Sequence, residues 1–437
     1  MYSVNTLEEQ QAPMAVSVRI AAIALGLSSL ALLSGRGTFA AILAVGVLAM
    51  LLSPGGAKTF RDFRRAAVAP QLLMVAAVFA AWVPSTALSY LPWTSVQVLA
   101  RMALFLVLGV WVYAYFSGRP RALDLLLKAL FVGLAFGLVV AILGTWAFPE
   151  AMVLIKGHVA SSTVHAVLMV KGFASAAVVL VPFVAWTGWR LGDLWKAASL
   201  VLVMGLLTLA VLAGSRAGMA GLIGALGIVL VACMTRRESR RWAGSLVVLF
   251  VLTIGGILIY LSGRPYGGSV PEDVLIFPTW LIDPHRQVIW QYALHLAEQR
   301  PWIGWGINTI NLVPQLPGTS PIEFGVPVLP SHPHNWILEI FAETGIIGGI
   351  AMLFAVGLQF SAMLRRYRAG GEGRMLAALA ASAAFFVSGL FNFSFWSAWW
   401  QVSYVLVLAL LYAGRPAEAG SASLPPRSGP SIMPTTP

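Results

Sequence analysis

Apolar stretches of about 20 residues follow one another along most of the chain, separated mainly by short polar or basic connections. A stretch of that length crosses the hydrocarbon core of a bilayer as an α-helix. A span in lipid must satisfy its own backbone hydrogen bonds, so a chain built this way folds as a helical bundle. Composition agrees: 59% of the 437 residues are hydrophobic and 10% are charged, against roughly a quarter charged in a soluble domain. Charge this sparse cannot cover a water-facing surface. Cys233 is the single cysteine, which excludes an intramolecular disulfide and a cysteine-based metal cluster. The first apolar stretch, Val16 to Leu33, runs into Ser-Gly-Arg-Gly rather than a small-residue cleavage site. It reads as a retained span and not as a cleaved signal peptide.

The fold class expected is an all-α polytopic membrane protein with about 12 transmembrane helices. They fall near 17–34, 38–54, 68–87, 95–116, 122–146, 163–187, 194–214, 216–234, 241–262, 336–361, 375–394 and 396–413. The chain then divides into helices one to nine (1–262), a hydrophilic connection (263–335), helices ten to twelve (336–413) and a Pro/Ser-rich tail (414–437) expected to be disordered. Basic residues orient such a bundle, because Lys and Arg accumulate on cytoplasmic connections. Twenty of the 28 lie on one alternate set, including Lys58, Arg61, Arg64 and Arg65, and Arg236, Arg237, Arg240 and Arg241. Both termini are therefore expected in the cytoplasm, and the 263–335 loop on the outer face. The net charge of +12 becomes a topology signal. Nucleic acid is not expected as a partner, whereas membrane lipids are.

The other cations are Arg36, Arg101, Lys156, Lys171, Arg216, Arg264, Arg286 and Arg300. Arg101, Lys171 and Arg216 fall inside spans or at their edges, where a basic residue costs up to roughly 2.5–3.5 kcal/mol. Either they snorkel to headgroups, or they face a wet cavity that holds an anion. Their similar depth favours the cavity. Arg286 adds a local argument. Asp283-Pro284 is a helix start, with Asp as N-cap and Pro at the first helical position. That helix runs to Gln299, stops before Pro301 and groups Ile289, Ala293 and Leu296 on one face. Arg286 then stands in the first turn, where the helix dipole disfavours a cation unless an anion joins it. The alternative is a pairing with Asp283.

The loop ends in Ser331-His332-Pro333-His334-Asn335-Trp336, at the entrance to span ten. A histidine side chain can exchange its proton near neutral pH, so His334 suits a general base; the alternative is a capping role. Asn335, Glu339 and Glu343 follow at four-residue spacing on one face. Carboxylates within a span are functional candidates by default. Either one of them orients His334, or they pair with Arg101, Lys171 or Arg216. No spacing suggests a metal site: His332 and His334 flank a proline, and the acids are scattered.

Three motifs together resemble the O-antigen ligase and O-antigen polymerase family of bacterial inner-membrane glycosyltransferases. They are Ser215-Arg216-Ala217-Gly218; Arg286 with Trp290, Ala293, Pro301, Gly304 and Gly306; and His334-Asn335 with Leu338, Glu343, Gly345 and Gly348. The resemblance implies a GT-C-like bundle with one large periplasmic loop carrying amphipathic helices, and an active site on the periplasmic side of the inner membrane. It implies an undecaprenyl-diphosphate-linked glycan as donor and, in the ligase branch, a lipid A-core sugar as acceptor. It implies no cofactor and no metal. The family's functional arginines map to Arg216 and Arg286 and its histidine to His334. Lys171, Arg101, Arg264, Asn335, Glu339 and Glu343 are the expected substrate-binding residues. The polymerase branch, the related protein O-oligosaccharyltransferases, and a transporter of anionic lipids remain alternatives.

Overall fold

The computed structural model describes residues 13–152, 155, 163–264, 276–313, 322–323, 326–327, 332–391 and 393–414. Fourteen α-helices occupy most of these residues. They are α1 (Val16–Ser34), α2 (Arg36–Leu51), α3 (Gly56–Ala67), α4 (Pro70–Ala87), α5 (Pro92–Ser117), α6 (Pro120–Ile142), α7 (Thr163–Leu191), α8 (Asp193–Leu212), α9 (Arg216–Thr235), α10 (Ala243–Ser262), α11 (Pro284–Gln299), α12 (Trp336–Gly370), α13 (Gly373–Ser388) and α14 (Ala398–Ala413). A two-residue antiparallel ladder pairs Ile322 with Pro327 and Glu323 with Val326.

Each of the twelve expected segments coincides with a helix, but not all are full-length spans. Among the described residues, eight helices are long and apolar enough to cross a membrane, or nine if the bent pair α2–α3 is one span. Leu72–Ala87, Gly373–Ser388 and Ala398–Ala413 are shorter. Two expectations change. The basic connection after α2 is itself a helix, α3, turned by 111° from α2. Helix α13 ends at Ser388 rather than near residue 394, leaving a connection over 389–397 whose described residues are non-helical. Among the described residues the 263–335 loop carries one α-helix, α11, and a short 3-10 turn at Ile310–Leu312.

Packing follows from the apolar faces. One core joins α1, α2, α6, α7 and α8 with α13 and α14 around Leu126, Phe173, Phe183 and Leu206. A second, aromatic core joins α4, α5, α12, α13 and α14 around Trp82, Phe385, Trp396 and Tyr404. Leu261 is the buried residue of α10, whose Val248, Leu252 and Ile259 are exposed. That face suits lipid and not water.

The feature that positions the loop is a break in α12. Gly345 adopts φ 65°, ψ −172° inside the helix, a backbone state that only glycine enters without strain. The segment 301–306 lies directly against the break. Trp305 N–H donates to the Ala342 carbonyl (3.1 Å) and Gly306 N–H to that of Glu343 (2.9 Å). In return Ile346 N–H donates to the Pro301 carbonyl (2.7 Å) and Ile347 N–H to that of Trp302 (3.3 Å). The approach is too close for side chains. A Cβ on Gly345 would lie 2.2 Å from the Trp302 carbonyl carbon, and one on Gly304 would lie 2.3 Å from that of Glu343. Ser85 Oγ adds a 2.6 Å bond to the Glu343 carbonyl, and Tyr90 N–H one to that of Trp305 (2.8 Å). The loop is thus clamped between the ends of α4 and α5 and the α12 break.

Gly345→Ala should therefore lower stability by at least about 2 kcal/mol, from strain and overpacking together. A Cβ on Gly357, further along α12, meets nothing within 4 Å, so Gly357→Ala should leave thermal unfolding in detergent unchanged. Equal melting temperatures for the two variants would remove the clamp.

Candidate functional site

Helix α11 starts as expected. Asp283 accepts from the His285 amide (3.0 Å), and Ile289, Ala293 and Leu296 are fully buried. Ile289 and Leu296 form a small core with Ile310, Val313 and Ala342, so α11 docks on the α12 segment just before the break. Gln287, which sequence reasoning did not single out, is almost fully buried. Its side chain takes the amides of Ile276 and Phe277 (2.8 Å each) and donates to the carbonyls of Phe277 (2.9 Å) and Ile282 (3.2 Å). It folds the approach to α11 onto the helix.

Docking α11 aims two side chains one turn apart. Arg286 donates to the Phe391 carbonyl (2.5 Å) in the 389–397 connection. The Trp290 indole donates to the Pro333 carbonyl (2.9 Å), immediately before His334, and its ring meets that of Phe391 at 6.3 Å. His334 is half-buried, has φ 55°, and its ring lies 4.2 Å from that of His332. Left-handed backbone at a non-glycine residue costs of order 1–2 kcal/mol and needs support from its surroundings. Support comes from both sides: Trp290 holds Pro333, and the Trp336 amide donates to the Gly389 carbonyl (3.1 Å).

Arg216 opens α9. Ser215 caps that helix by accepting from the Gly218 amide (3.0 Å) and also bonds Ser175 of α7 (2.7 Å). The Arg216 guanidinium reaches the carbonyls of Trp280 (2.8 Å), Leu281 (3.0 Å) and Arg264 (3.1 Å). It thereby joins the end of α10 to the start of α11. Lys171 stands on α7 one turn before Ser175. Among the described residues, Arg286, Arg216 and Asp283 lie within electrostatic reach of it. Lys171 of α7 is thus near enough to feel the charges of Arg216 and Arg286, in the first turns of α9 and α11, and of Asp283. Carbonyl oxygens help to position both Arg216 and Arg286.

The remaining expected residues have other work. Asn335, not His334, caps α12, accepting from the amides of Ile337 (3.1 Å) and Leu338 (3.4 Å). Glu339 accepts from Ser394 Oγ (2.5 Å) and the Phe395 amide (2.6 Å). Glu343 accepts from the amides of Asn308 (2.6 Å), Thr309 (3.0 Å) and Ile310 (3.3 Å) and from the Trp396 indole. Both carboxylates are fully buried and bind backbone and aromatic donors, so each expected role, orienting His334 or pairing with a cation, gives way to holding the 308–310 and 394–396 segments. Arg101 donates to the Trp396 carbonyl (2.5 Å) and does not join the Lys171 group. The Arg264 guanidinium is exposed and stacks on Tyr260 at 4.7 Å; only its carbonyl faces Arg216. Arg300 stacks on Trp305 at 4.2 Å. Lys156 and the tail beyond Gly414 lie outside the described residues, as does the Arg36 side chain.

This arrangement has a family likeness. Residues 200–353 match the family model described as O-Antigen ligase. Over these residues the chain is similar to the O-antigen ligase family. A protein of Rickettsia bellii (strain RML369-C) is 24% identical over 171 residues, covering 38% of this chain and 40% of that one. One of Rickettsia prowazekii (strain Madrid E) is 24% identical over 205 residues, covering 38% and 50%. Both carry the description "Putative polysaccharide ligase". This chain therefore spans at most half the length of these curated relatives. Every residue of the three motifs falls within the O-antigen ligase match, Lys171 and Arg101 before it. Within the match, Pro301, Gly304, Gly306, Glu343 and Gly345 build the clamp, which positions α11 with Arg286 and Trp290, while Arg216 opens α9.

Glu343→Ala should leave four buried donors unmatched and cost at least about 3 kcal/mol, at about 1–3 kcal/mol per orphaned group. Glu343→Gln retains an acceptor and should cost clearly less. Thermal unfolding of both variants in detergent checks this, and equal losses would mean that the acceptor oxygens do not hold the loop.

Proposed function

We propose that this chain is a membrane glycosyltransferase of the O-antigen ligase kind. It transfers a glycan from undecaprenyl diphosphate to a lipid A-core sugar at the periplasmic face of the inner membrane. The observation that carries this reading is that Lys171 lies within electrostatic reach of Arg216 and Arg286 at two helix N-termini, with Trp290 tying the same helix face to His334. Helix N-termini and guanidinium groups both favour phosphate oxygens, and a lipid diphosphate is the anion that such a bundle would meet. The polysaccharide-ligase description of the relatives supports the ligase branch over the polymerase branch.

In this reading the acceptor hydroxyl attacks the anomeric carbon of the donor glycan. His334 takes the hydroxyl proton, the new glycosidic bond forms, and the bond from the anomeric carbon to the diphosphate oxygen breaks. The diphosphate leaves with the bonding electrons, and Arg216, Arg286 and Lys171 stabilise the charge that it gains. One direct displacement inverts the linkage. The positive charge comes from the protein, so the reaction is proposed to need no metal.

His334→Ala should lower transfer by about 10²–10⁴-fold, the usual contribution of a positioned base, while donor binding persists. Normal rates in that variant would remove the base. Arg216→Ala and Arg286→Ala should weaken donor use at limiting donor concentration, and activity should survive chelator; strict dependence on added Mg²⁺ would overturn the arginine-based reading. Purified protein given carrier-linked glycan with either lipid A-core or more carrier-linked glycan separates ligase from polymerase. A transporter would form neither product.

A further inference from the structure

A cavity of about 440 Å³ lies between α4 and α12 on one side and α5 and α14 on the other, with α13 behind it. It is separate from the site above. Toward the loop end its lining is aromatic, from Trp82, Phe386 and Phe395, and Trp82 packs edge-on against Trp396 at 5.3 Å. At the other end it reaches Ala66, Arg366 and Tyr412. Along α14 the lining runs from Gln401 to Tyr412, about 16 Å of helix. That is the depth of one leaflet, half of a hydrocarbon core about 30 Å thick.

Charge marks the mouth. Arg366 is exposed and stands 5.5 Å over the Tyr412 ring. Ala66, which also lines the cavity, belongs to α3, where Lys58, Arg61, Arg64 and Arg65 are all exposed. Helix α3 is short and amphipathic, and Phe63 packs on Trp111 of α5 at 5.7 Å. A basic amphipathic helix beside an apolar slot is the arrangement that recognises anionic lipid headgroups. Halfway along the slot the polar groups are matched among themselves: Gln359 donates to Tyr404 (2.5 Å), and Tyr404 to Ser382 (2.8 Å). An occupant there has to be apolar.

We propose that this cavity binds an anionic phospholipid of the leaflet opposite the loop. One acyl chain lies in the slot, and the phosphate sits at Arg366 beside the basic face of α3. The occupant is not the glycan donor, because the cavity mouth and the Arg216–Arg286–His334 site are at opposite ends of the bundle.

Native mass spectrometry of the full chain from detergent, followed by lipid extraction, tests this. The wild-type protein should retain an anionic phospholipid, and titration with phosphatidylglycerol should raise its melting temperature more than titration with phosphatidylethanolamine. Arg366→Gln should weaken phosphatidylglycerol retention about fivefold at low ionic strength, the usual contribution of one basic residue at a lipid surface, and should remove the headgroup preference. Ala355→Phe narrows the slot without touching a charge and should lower retention of both lipids. Equal retention of the two headgroups by the wild type would overturn the proposal, as would unchanged retention in both variants or recovery of a polyprenyl diphosphate in place of phospholipid. The readout is lipid identity, so it stands whether or not glycan transfer is observed.

Discussion

The backbone exchange between the break in α12 and the 301–306 segment holds the loop in place. Breaking a helix at Gly345 frees carbonyl and amide groups that water cannot reach, and a buried polar group left unmatched is costly. The loop supplies the partners, and Glu343 returns the favour by accepting from Asn308, Thr309 and Ile310. With 301–310 fixed, the end of α11 is fixed, and its apolar face closes on Ala342. Arg286 and Trp290 are then aimed at Phe391 and Pro333. Thus the conformation of His334 depends on a glycine eleven residues further along the chain.

How much of this was legible in the sequence depended on distance along the chain. Helix positions rest on local apolar content, and the start of α11 rests on Asp283-Pro284; both were readable. The roles of Gly304, Gly306 and Gly345 were not, because their requirement is contact between segments about forty residues apart. The motifs marked these residues without explaining them. The two glutamates went astray for a related reason. A carboxylate in a span suggests chemistry or a cation partner, and nothing local reveals that Trp396 and the 308–310 amides will arrive as donors. The end of α13 was obscured because Phe391, Phe393, Phe395 and Trp396 are as apolar as a span. That aromatic run is instead the irregular connection that receives Arg286, Glu339 and Glu343. Helix α3 was hidden by its charge, since a dozen residues rich in Lys and Arg read first as a topology signal.

The cations pose an energetic question that the geometry answers. Arg216 is the first residue of α9 and Arg286 lies in the first turn of α11, where a positive charge is unfavourable by about 0.3–1 kcal/mol. Hydrogen bonds from a charged donor contribute about 1.5–3 kcal/mol, so the carbonyls of Trp280, Leu281 and Phe391 more than offset that cost. These carbonyls therefore stabilise both arginines at the helix starts. In the proposed reaction, an entering diphosphate would reverse the sign of the dipole interaction and gain from these cations together. Charge building on the proposed leaving phosphate would strengthen the same contacts, so on this proposal they would stabilise the transition state more than the bound donor, which is the condition for catalysis rather than mere binding.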